Sequence, residues 1–199
     1  MKNKALLVTL VLGILAVAGC GPVNSLFALY TNEDKFFDEN LIGEWQQTPA
    51  TASESEKNGR WVFFRDGDTS VYKTSLITIS KRGGFVAKGR LVRLGKSVFV
   101  DFEPDTDLSS DGELTLPYPM IESHMIGRIW IEKDQVHLHF LSEDWVKKQL
   151  KEGKLTLAHA GSAETPILSA TTADLRKFAQ EHAEDEDAFS ENFELVRMK

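Results

Sequence analysis

Two histidines two positions apart are the residues with the clearest potential for metal chemistry. His137 and His139 alternate with apolar residues, so a strand would place both imidazoles on one face. Two imidazoles can begin a zinc or copper site. The spacing supplies no third ligand, so the pattern favours two histidines on the polar surface of a strand.

Carboxylates form the second candidate, a cluster made of Asp101, Glu103, Asp105, Asp107, Asp111 and Glu113. Calcium prefers oxygen ligands, but an EF-hand loop beginning at Asp105 would need glycine at its sixth position, where Ser110 stands. The pattern therefore favours a solvated acidic loop. Further acids between 181 and 187 follow a predicted helix and are also expected to be solvated, with partner binding as the alternative.

The sequence carries none of the common catalytic motifs. It has no Gly-x-Ser-x-Gly, no phosphate-cradling loop and no His-Glu-x-x-His. Its single cysteine, Cys20, cannot form an internal disulfide and leaves no other thiol for a metal. We expect no cofactor and no resident metal. A hydrolase or metal-dependent enzyme built on His137, His139 and the acids near Asp101 is the least favoured function.

The first twenty residues have the composition of an export signal. Lys2 and Lys4 precede an apolar run over residues 5–19. That run is shorter than the roughly 20 residues that a membrane-spanning helix needs. A cationic start, a short apolar run and small residues at its end are typical of a secretory signal.

The end of this run, Val17-Ala18-Gly19-Cys20, resembles the lipobox of bacterial lipoproteins. The resemblance implies that a diacylglyceryl group is attached to the Cys20 thiol and that residues 1–19 are removed as a signal peptide. Two or more acyl chains hold a protein firmly at a membrane. The resemblance also implies a place in the bacterial cell envelope, on the periplasmic side of the outer membrane in a Gram-negative cell. Residues 20–40 are expected to be a tether.

The net charge excludes one class of partner. The formal charge is −7, and it becomes −9 once Lys2 and Lys4 leave with the signal. Nucleic-acid binding needs a basic face, so no nucleic acid is expected as a partner. A surface of this sign is not attracted to anionic lipid head groups either. Membrane attachment is therefore expected through the lipid on Cys20.

From Leu41 onward the pattern is mostly strand-like. Short apolar or alternating runs are separated by turn residues about every ten positions, as at Asp66-Gly67, Gly83-Gly84 and Gly95-Lys96. The spacing predicts a mainly β, antiparallel fold over residues 41–199, either a sandwich or a barrel. A closed barrel would leave no exposed sheet edge.

Two short helices are predicted to interrupt the strands. Ser142 is an N-cap candidate for a helix over about 143–152, with acids in the first turn, where the helix dipole favours them. Thr171 and Asp174 have the spacing of a capping box and predict a helix over about 172–183.

Gly43-x-Trp45, at the start of the first predicted strand, resembles the lipocalin pattern. In lipocalins the tryptophan closes one end of an eight-stranded barrel, and an arginine from near the chain end packs on its indole. The resemblance assigns that part to Arg197, by cation–π stacking. It also implies that the antiparallel sheet closes into a barrel of about eight strands. The two helices depart from the family, whose members usually carry one helix after the eighth strand.

Five aromatic residues on apolar runs are candidates for the barrel interior: Trp61, Phe63, Phe85, Trp130 and Phe140. They would either line a ligand cavity or fill the core. The favoured function is a lipid-anchored protein whose barrel binds a small apolar ligand or lipid. The alternative is an envelope structural or assembly factor that binds another protein through a surface patch.

Overall fold

Eight antiparallel strands close into a barrel in the computed structural model, which describes residues 22–48, 59–67, 69–77, 85–105 and 122–199. The barrel strands are β3 (Gly43–Gln47), β4 (Arg60–Arg65), β5 (Tyr72–Ile77), β6 (Phe85–Leu94), β7 (Ser97–Pro104), β8 (His124–Ile131), β9 (Gln135–Phe140) and β12 (Glu191–Arg197). Strands β3 to β9 pair in chain order, β12 lies between β3 and β9, and the pairing of β8 with β9 completes the closure. The predicted fold class is confirmed.

Four two-residue strands extend the sheet outside the barrel: β1 (Asn24–Ser25), β2 (Lys35–Phe36), β10 (His159–Ala160) and β11 (Ile167–Leu168). Strand β1 lies between β8 and β11, β10 pairs with β11, and β2 pairs with β6. A 3-10 helix, Glu39–Leu41, precedes β3.

Both predicted helices are present and begin at the expected caps. Helix α1 spans Glu143–Lys151, and the Ser142 hydroxyl accepts a hydrogen bond from the backbone N–H of Trp145. Helix α2 spans Thr172–Glu181, and Thr171 caps it in the same way. In the part of the chain that the structure describes, neither helix is long and apolar enough to cross a membrane.

The barrel wall separates two hydrophobic cores, because alternate residues of a strand point to opposite faces of the sheet. The inner core lies inside the barrel and contains Trp45, Trp61, Phe63, Tyr72, Leu91, Val100, Phe102, Leu138 and Phe140. The outer core lies between the outside of β6–β8 and the helices, and contains Val92, Phe99, Ile126, Trp145, Leu175, Phe178 and Phe189. The two helices cover one side of the barrel.

The two ends of the barrel differ in how the strands are joined. At one end, here called the base, short turns connect β4 to β5, β6 to β7 and β8 to β9, and β3 begins. At the other end, here called the mouth, β3, β5, β7 and β9 end, and β4, β6, β8 and β12 begin. The base is therefore made of tight hairpins, whereas longer connections leave the mouth.

The prediction of a tether over residues 20–40 is wrong for residues 22–40. Val23 and Leu29 are buried in the outer core, and the backbone N–H of Val23 donates to the carbonyl of Leu141. Burying this apolar segment closes the side of the outer core that the helices leave open. Residues 1–21, which include Cys20 and the predicted signal peptide, lie outside the described residues.

Candidate functional site

Trp45 and Arg197 together close the base. The Trp45 side chain is fully buried, and its indole N–H donates to the carbonyl of Leu41 at 2.9 Å. The Arg197 guanidinium lies 4.1 Å above the Trp45 ring and donates to the carbonyls of Asn40, Ile42 and Lys133. One arginine therefore joins the turn between β8 and β9 to the segment that leads into β3.

Gly43 allows the arginine to approach this closely. Its φ is +137°, in a region that residues with a Cβ rarely adopt. A Cβ at this position would lie 2.6 Å from Nη1 of Arg197. The structure thus brings Gly43, Trp45 and Arg197, the three residues quoted for the lipocalin resemblance, into one cluster at the base.

Five aromatic side chains form a closed circle of contacts inside the barrel. The aromatic circle consists of Trp61, Phe63, Phe102, Phe140 and Phe193, and neighbouring ring centroids are 5.5–6.5 Å apart. These distances are typical of favourable aromatic pairs. The residues come from β4, β7, β9 and β12, so the circle links opposite walls of the barrel.

Three of the five aromatic residues predicted for the interior, Trp61, Phe63 and Phe140, are in the aromatic circle. The prediction for Trp130 is wrong. Its neighbours Ile129 and Ile131 contact the inner core, so Trp130 lies on the outer face of β8. The side chain of Phe85 lies outside the described part of the structure. Sequence reasoning missed Phe102 and Phe193, although both alternate with inward apolar residues of their strands.

Two polar groups inside the barrel have no hydrogen-bond partner among the described residues: the indole N–H of Trp61 and the hydroxyl of Thr74. Trp61 is 2% exposed and Thr74 is 0% exposed. Thr74 pairs with Phe63, so it is a diagonal neighbour of Trp61 on the same inward face. The two groups therefore lie on the inward face of neighbouring strands.

His137, His139 and Glu194 form a cluster on the outer wall of β9 and β12. The Glu194 carboxylate accepts a hydrogen bond from His137 Nδ1 and another, at 3.1 Å, from His139 Nε2. Trp130 lies edge-on to His139, and the Arg128 guanidinium lies 4.2 Å above Trp130. Across the described ranges, no three His, Cys, Asp or Glu side chains are placed to hold a metal ion.

A surface groove of about 460 Å³ lies beside this cluster, between β8 and the chain that follows α2. Its walls include Trp130 and His139 on one side and Glu184, Asp185 and Glu186 on the other. Glu184 forms an ion pair with Arg128 at 2.8 Å, so part of the acidic stretch after α2 is held against the barrel. This groove presents polar and acidic groups beside apolar ones such as Trp130 and Phe189, unlike the mainly apolar barrel interior.

The prediction of a solvated acidic loop is wrong for Asp101. Its carboxylate is fully buried under the N-terminal segment, where it accepts hydrogen bonds from the backbone N–H of Leu29 at 2.6 Å and from His124 Nδ1 at 2.7 Å. Arg90 pairs with Glu103 and stacks on the ring of Tyr30, so a guanidinium lies beside the carboxylates of the network.

Asp105, from the same predicted loop, is also buried. It lies 3.5 Å from Lys88 and 4.0 Å from Lys73. Asp107, Asp111 and Glu113 fall outside the described residues. The Asp101 network and the His137–Glu194 cluster have no residue in common. Asp101, Glu103 and Asp105 have partners of their own, and none of these contacts involves His137 or His139, the two histidines considered as metal ligands.

Two side chains of the Asp101 network, Tyr30 and His124, have shifted pKa values. Desolvation raises the pKa of Tyr30 to about 12. Desolvation alone would lower the pKa of His124, but the hydrogen bond to Asp101 and the charges of Asp101 and Glu103 outweigh it and raise the pKa above 6.5. His124 therefore stays protonated to higher pH than a free histidine.

Comparison of the chain with models of protein families, with curated proteins and with solved structures found no match. The likeness to lipocalins therefore stays a prediction, carried by Gly43, Trp45, Arg197 and an eight-stranded barrel.

Proposed function

We propose that this chain is a lipoprotein of the bacterial envelope, anchored through Cys20, whose barrel binds a small and mainly apolar ligand. In a Gram-negative cell its place is the periplasmic face of the outer membrane. The ligand enters from the mouth, because Trp45 and Arg197 fill the base. The observation that carries the proposal is the pair of polar groups, on Trp61 and Thr74, that have no hydrogen-bond partner among the described residues and lie within a mainly apolar interior.

Leaving these groups unpartnered is unfavourable. An unsatisfied buried N–H or hydroxyl destabilises a protein by about 1–3 kcal/mol. A ligand with one hydrogen-bond acceptor would satisfy the Trp61 N–H and the Thr74 hydroxyl, while its apolar part packs against the aromatic circle. Largely apolar walls with a few converging polar groups are typical of small-molecule sites.

The surroundings favour a neutral ligand over a carboxylate. Among the described residues, the polar side chains buried inside the barrel are Gln47 and Thr74, and both are uncharged. The buried histidine, His124, is on the outer side of the wall, where it contacts Asp101. Burying an ionised carboxylate without a cation would cost several kcal/mol. The ligand class is therefore an alcohol, ester, ketone or amide with a hydrocarbon part.

A pair of matched probes tests the proposal. A pyrene-labelled long-chain alcohol and the corresponding pyrene-labelled fatty acid differ only in the polar group. At pH 7 the alcohol should bind saturably to the purified full chain, and the acid about tenfold or more weakly. Saturable binding of neither probe, or tighter binding of the acid, would contradict the proposed ligand.

Variants locate the binding. The double substitution Trp61→Phe and Thr74→Val removes both polar groups while keeping an aromatic ring at one position and a side chain of similar size at the other. It should weaken alcohol binding about tenfold or more, since each hydrogen bond contributes about 1 kcal/mol. Trp130→Phe, on the outer face, is the matched control and should bind as the parent does. Equal affinity of the double variant and the control would place the probe elsewhere.

The anchor is tested separately by mass spectrometry of protein extracted from membranes. The N-terminal peptide should begin at Cys20 and carry the added mass of a diacylglyceryl group. Cys20→Ala should lose this mass and remain unprocessed. An unmodified Cys20 in the parent would remove the anchor from the proposal and leave the ligand assay unaffected.

A further inference from the structure

We infer that the anchored barrel lies directly on the bilayer, with its mouth toward the lipid and Phe27 in contact with the head-group region. The inference rests on the proposed lipidation of Cys20, and it adds an interaction surface to that proposal. The partner of this surface is a lipid membrane rather than another protein.

The first argument is the length of chain between the anchor and the barrel. Pro22 already forms a bridge with Ser142, and the Val23 backbone N–H donates to the carbonyl of Leu141 at 3.0 Å. Cys20 is two residues before Pro22, and two residues span at most about 7 Å. A lipid on Cys20 therefore holds the surface around Pro22 within a few ångströms of the bilayer.

The second argument is the location of Pro22 on the barrel. Strand β9 runs from the base to the mouth and ends at Phe140, and Leu141 and Ser142 follow it directly. Pro22 and Val23 bind to these two residues, so the anchor point lies at the mouth. Attachment at this point turns the mouth, and not the base, toward the membrane.

The third argument is an aromatic side chain exposed at the same end. Ser25 lies opposite His124, the first residue of β8, and Leu29 returns to the level of Asp101. The reversal between them presents Phe27, which is 48% exposed. The Ser25 hydroxyl holds this reversal, since it donates to the Phe27 carbonyl and accepts from the Phe27 N–H. Exposed phenylalanine beside a lipid anchor favours the membrane interface.

Charge decides which membrane suits this surface. The chain is acidic overall, and Glu143 and Asp144 directly follow the residue that Pro22 contacts. Anionic head groups would repel it, so the contact depends on the covalent anchor and on Phe27 rather than on electrostatic attraction. Zwitterionic phosphatidylcholine vesicles are therefore the appropriate test membrane.

Two single-cysteine labels test the orientation. Acylation consumes the Cys20 thiol, so Phe27→Cys and Phe64→Cys each add the one thiol that can take an environment-sensitive NBD label. Phe64 is the matched control, because it is 46% exposed and precedes Arg65, which ends β4 at the base. Each full-length lipidated variant is reconstituted into phosphatidylcholine vesicles.

The label at position 27 should show blue-shifted emission and an iodide quenching constant about threefold or more below that of the label at position 64. A third variant inserts about twelve Gly and Ser residues between Gly21 and Pro22, a linker with a root-mean-square length of about 20 Å. It keeps the lipid but should lose most of the protection at position 27.

Equal exposure of the two labels, or protection that the linker leaves unchanged, would overturn the orientation. Absence of lipid on Cys20 would overturn it too, because the short connection to the membrane would not exist. The pyrene binding assay is independent of both outcomes, so failure of the ligand proposal and failure of the orientation are distinguishable.

Discussion

The cluster at the base and the interior of the barrel differ in how buried polar groups are satisfied. At the base, the indole N–H of Trp45 and the guanidinium of Arg197 donate to backbone carbonyls. Inside the barrel, the Trp61 N–H and the Thr74 hydroxyl have no partner within the described ranges. Trp45 and Trp61 are direct partners on neighbouring strands. The indole N–H of Trp45 is hydrogen-bonded, whereas that of Trp61 has no partner among the described residues. The Trp45 and Arg197 cluster therefore satisfies its own polar groups, whereas the polar groups of Trp61 and Thr74 are those that the proposed ligand would satisfy.

The largest expected effect on stability comes from removing the Trp45 side chain, which closes the base. Trp45→Ala deletes a fully buried indole and leaves Arg197 without its aromatic face, so the free energy of unfolding should fall by about 3–5 kcal/mol. Urea denaturation followed by circular dichroism measures the loss. Trp130→Ala, on the half-exposed outer face, is the control and should lose clearly less. Equal losses would mean that the base has no special role in stability.

A smaller effect is expected from Gly43→Ala. The added methyl meets Arg197 and the backbone has a φ of +137°, so unfolding free energy should fall by about 1–3 kcal/mol. Gly67→Ala separates the two causes, because Gly67 also has a positive φ but has nothing within 4 Å of the added atom. The Gly67 variant should lose about 1 kcal/mol. A loss at Gly43 no greater than that at Gly67 would exclude the contact with Arg197 as a constraint.

At Thr74 the sign of the effect on stability should reverse. Thr74→Val replaces an unpartnered buried hydroxyl with a methyl group of similar size, so the ligand-free protein should gain about 1 kcal/mol of stability. Thr172→Val is the control: its hydroxyl donates to the Ala28 carbonyl at 2.8 Å, and its removal should lose about 1 kcal/mol. Thermal and urea unfolding of both variants measure the difference. A loss of stability in both variants would show that the Thr74 hydroxyl has a hydrogen-bond partner in solution.

Local sequence signals were sufficient for the barrel and its helices. Alternation along β9 assigned its inward face, and the caps Ser142 and Thr171 located both helix starts. Trp130 was assigned to the wrong face because β8 is apolar on both sides. Ile129 points into the inner core and Ile126 into the outer core, so no alternation marks the direction of each side chain.

Contacts between distant parts of the chain could not be predicted in this way. The residues around Leu29 have the mixed polar and apolar pattern of a linker. The backbone N–H of Leu29 is held by the carboxylate of Asp101, 72 residues later. The sequence around Asp101 likewise predicts a surface acid. Only the fold places the two donors, His124 and the Leu29 N–H, beside its carboxylate. The unpartnered state of Trp61 and Thr74 is equally invisible in sequence, because it depends on what the neighbouring strands leave unfilled.

The smallest expected effect concerns the N-terminal segment, residues 22–40, whose Leu29 N–H donates to Asp101. His124 faces Asp101 and Glu103 on β7, Arg90 on β6 and Tyr30 on the N-terminal segment. Its pKa is raised above 6.5 in the folded protein, because the bond to Asp101 and the nearby carboxylates outweigh the opposing effect of burial. The folded state therefore binds more protons than the unfolded state between pH 6.5 and that raised pKa.

The resulting stabilisation is complete below pH 6.5 and is lost as pH rises through the folded-state pKa. Urea unfolding across pH 5.5–9 should show a decline over that window, with little contribution from Tyr30, whose pKa is about 12. His124→Gln should remove the decline, whereas His159→Gln, at an exposed position on β10, should retain it. If the unfolding free energy of His124→Gln declines with pH as that of the parent does, the contact between the Asp101 network and the N-terminal segment is independent of pH. The position of Phe27, which this segment carries, is then independent of pH as well.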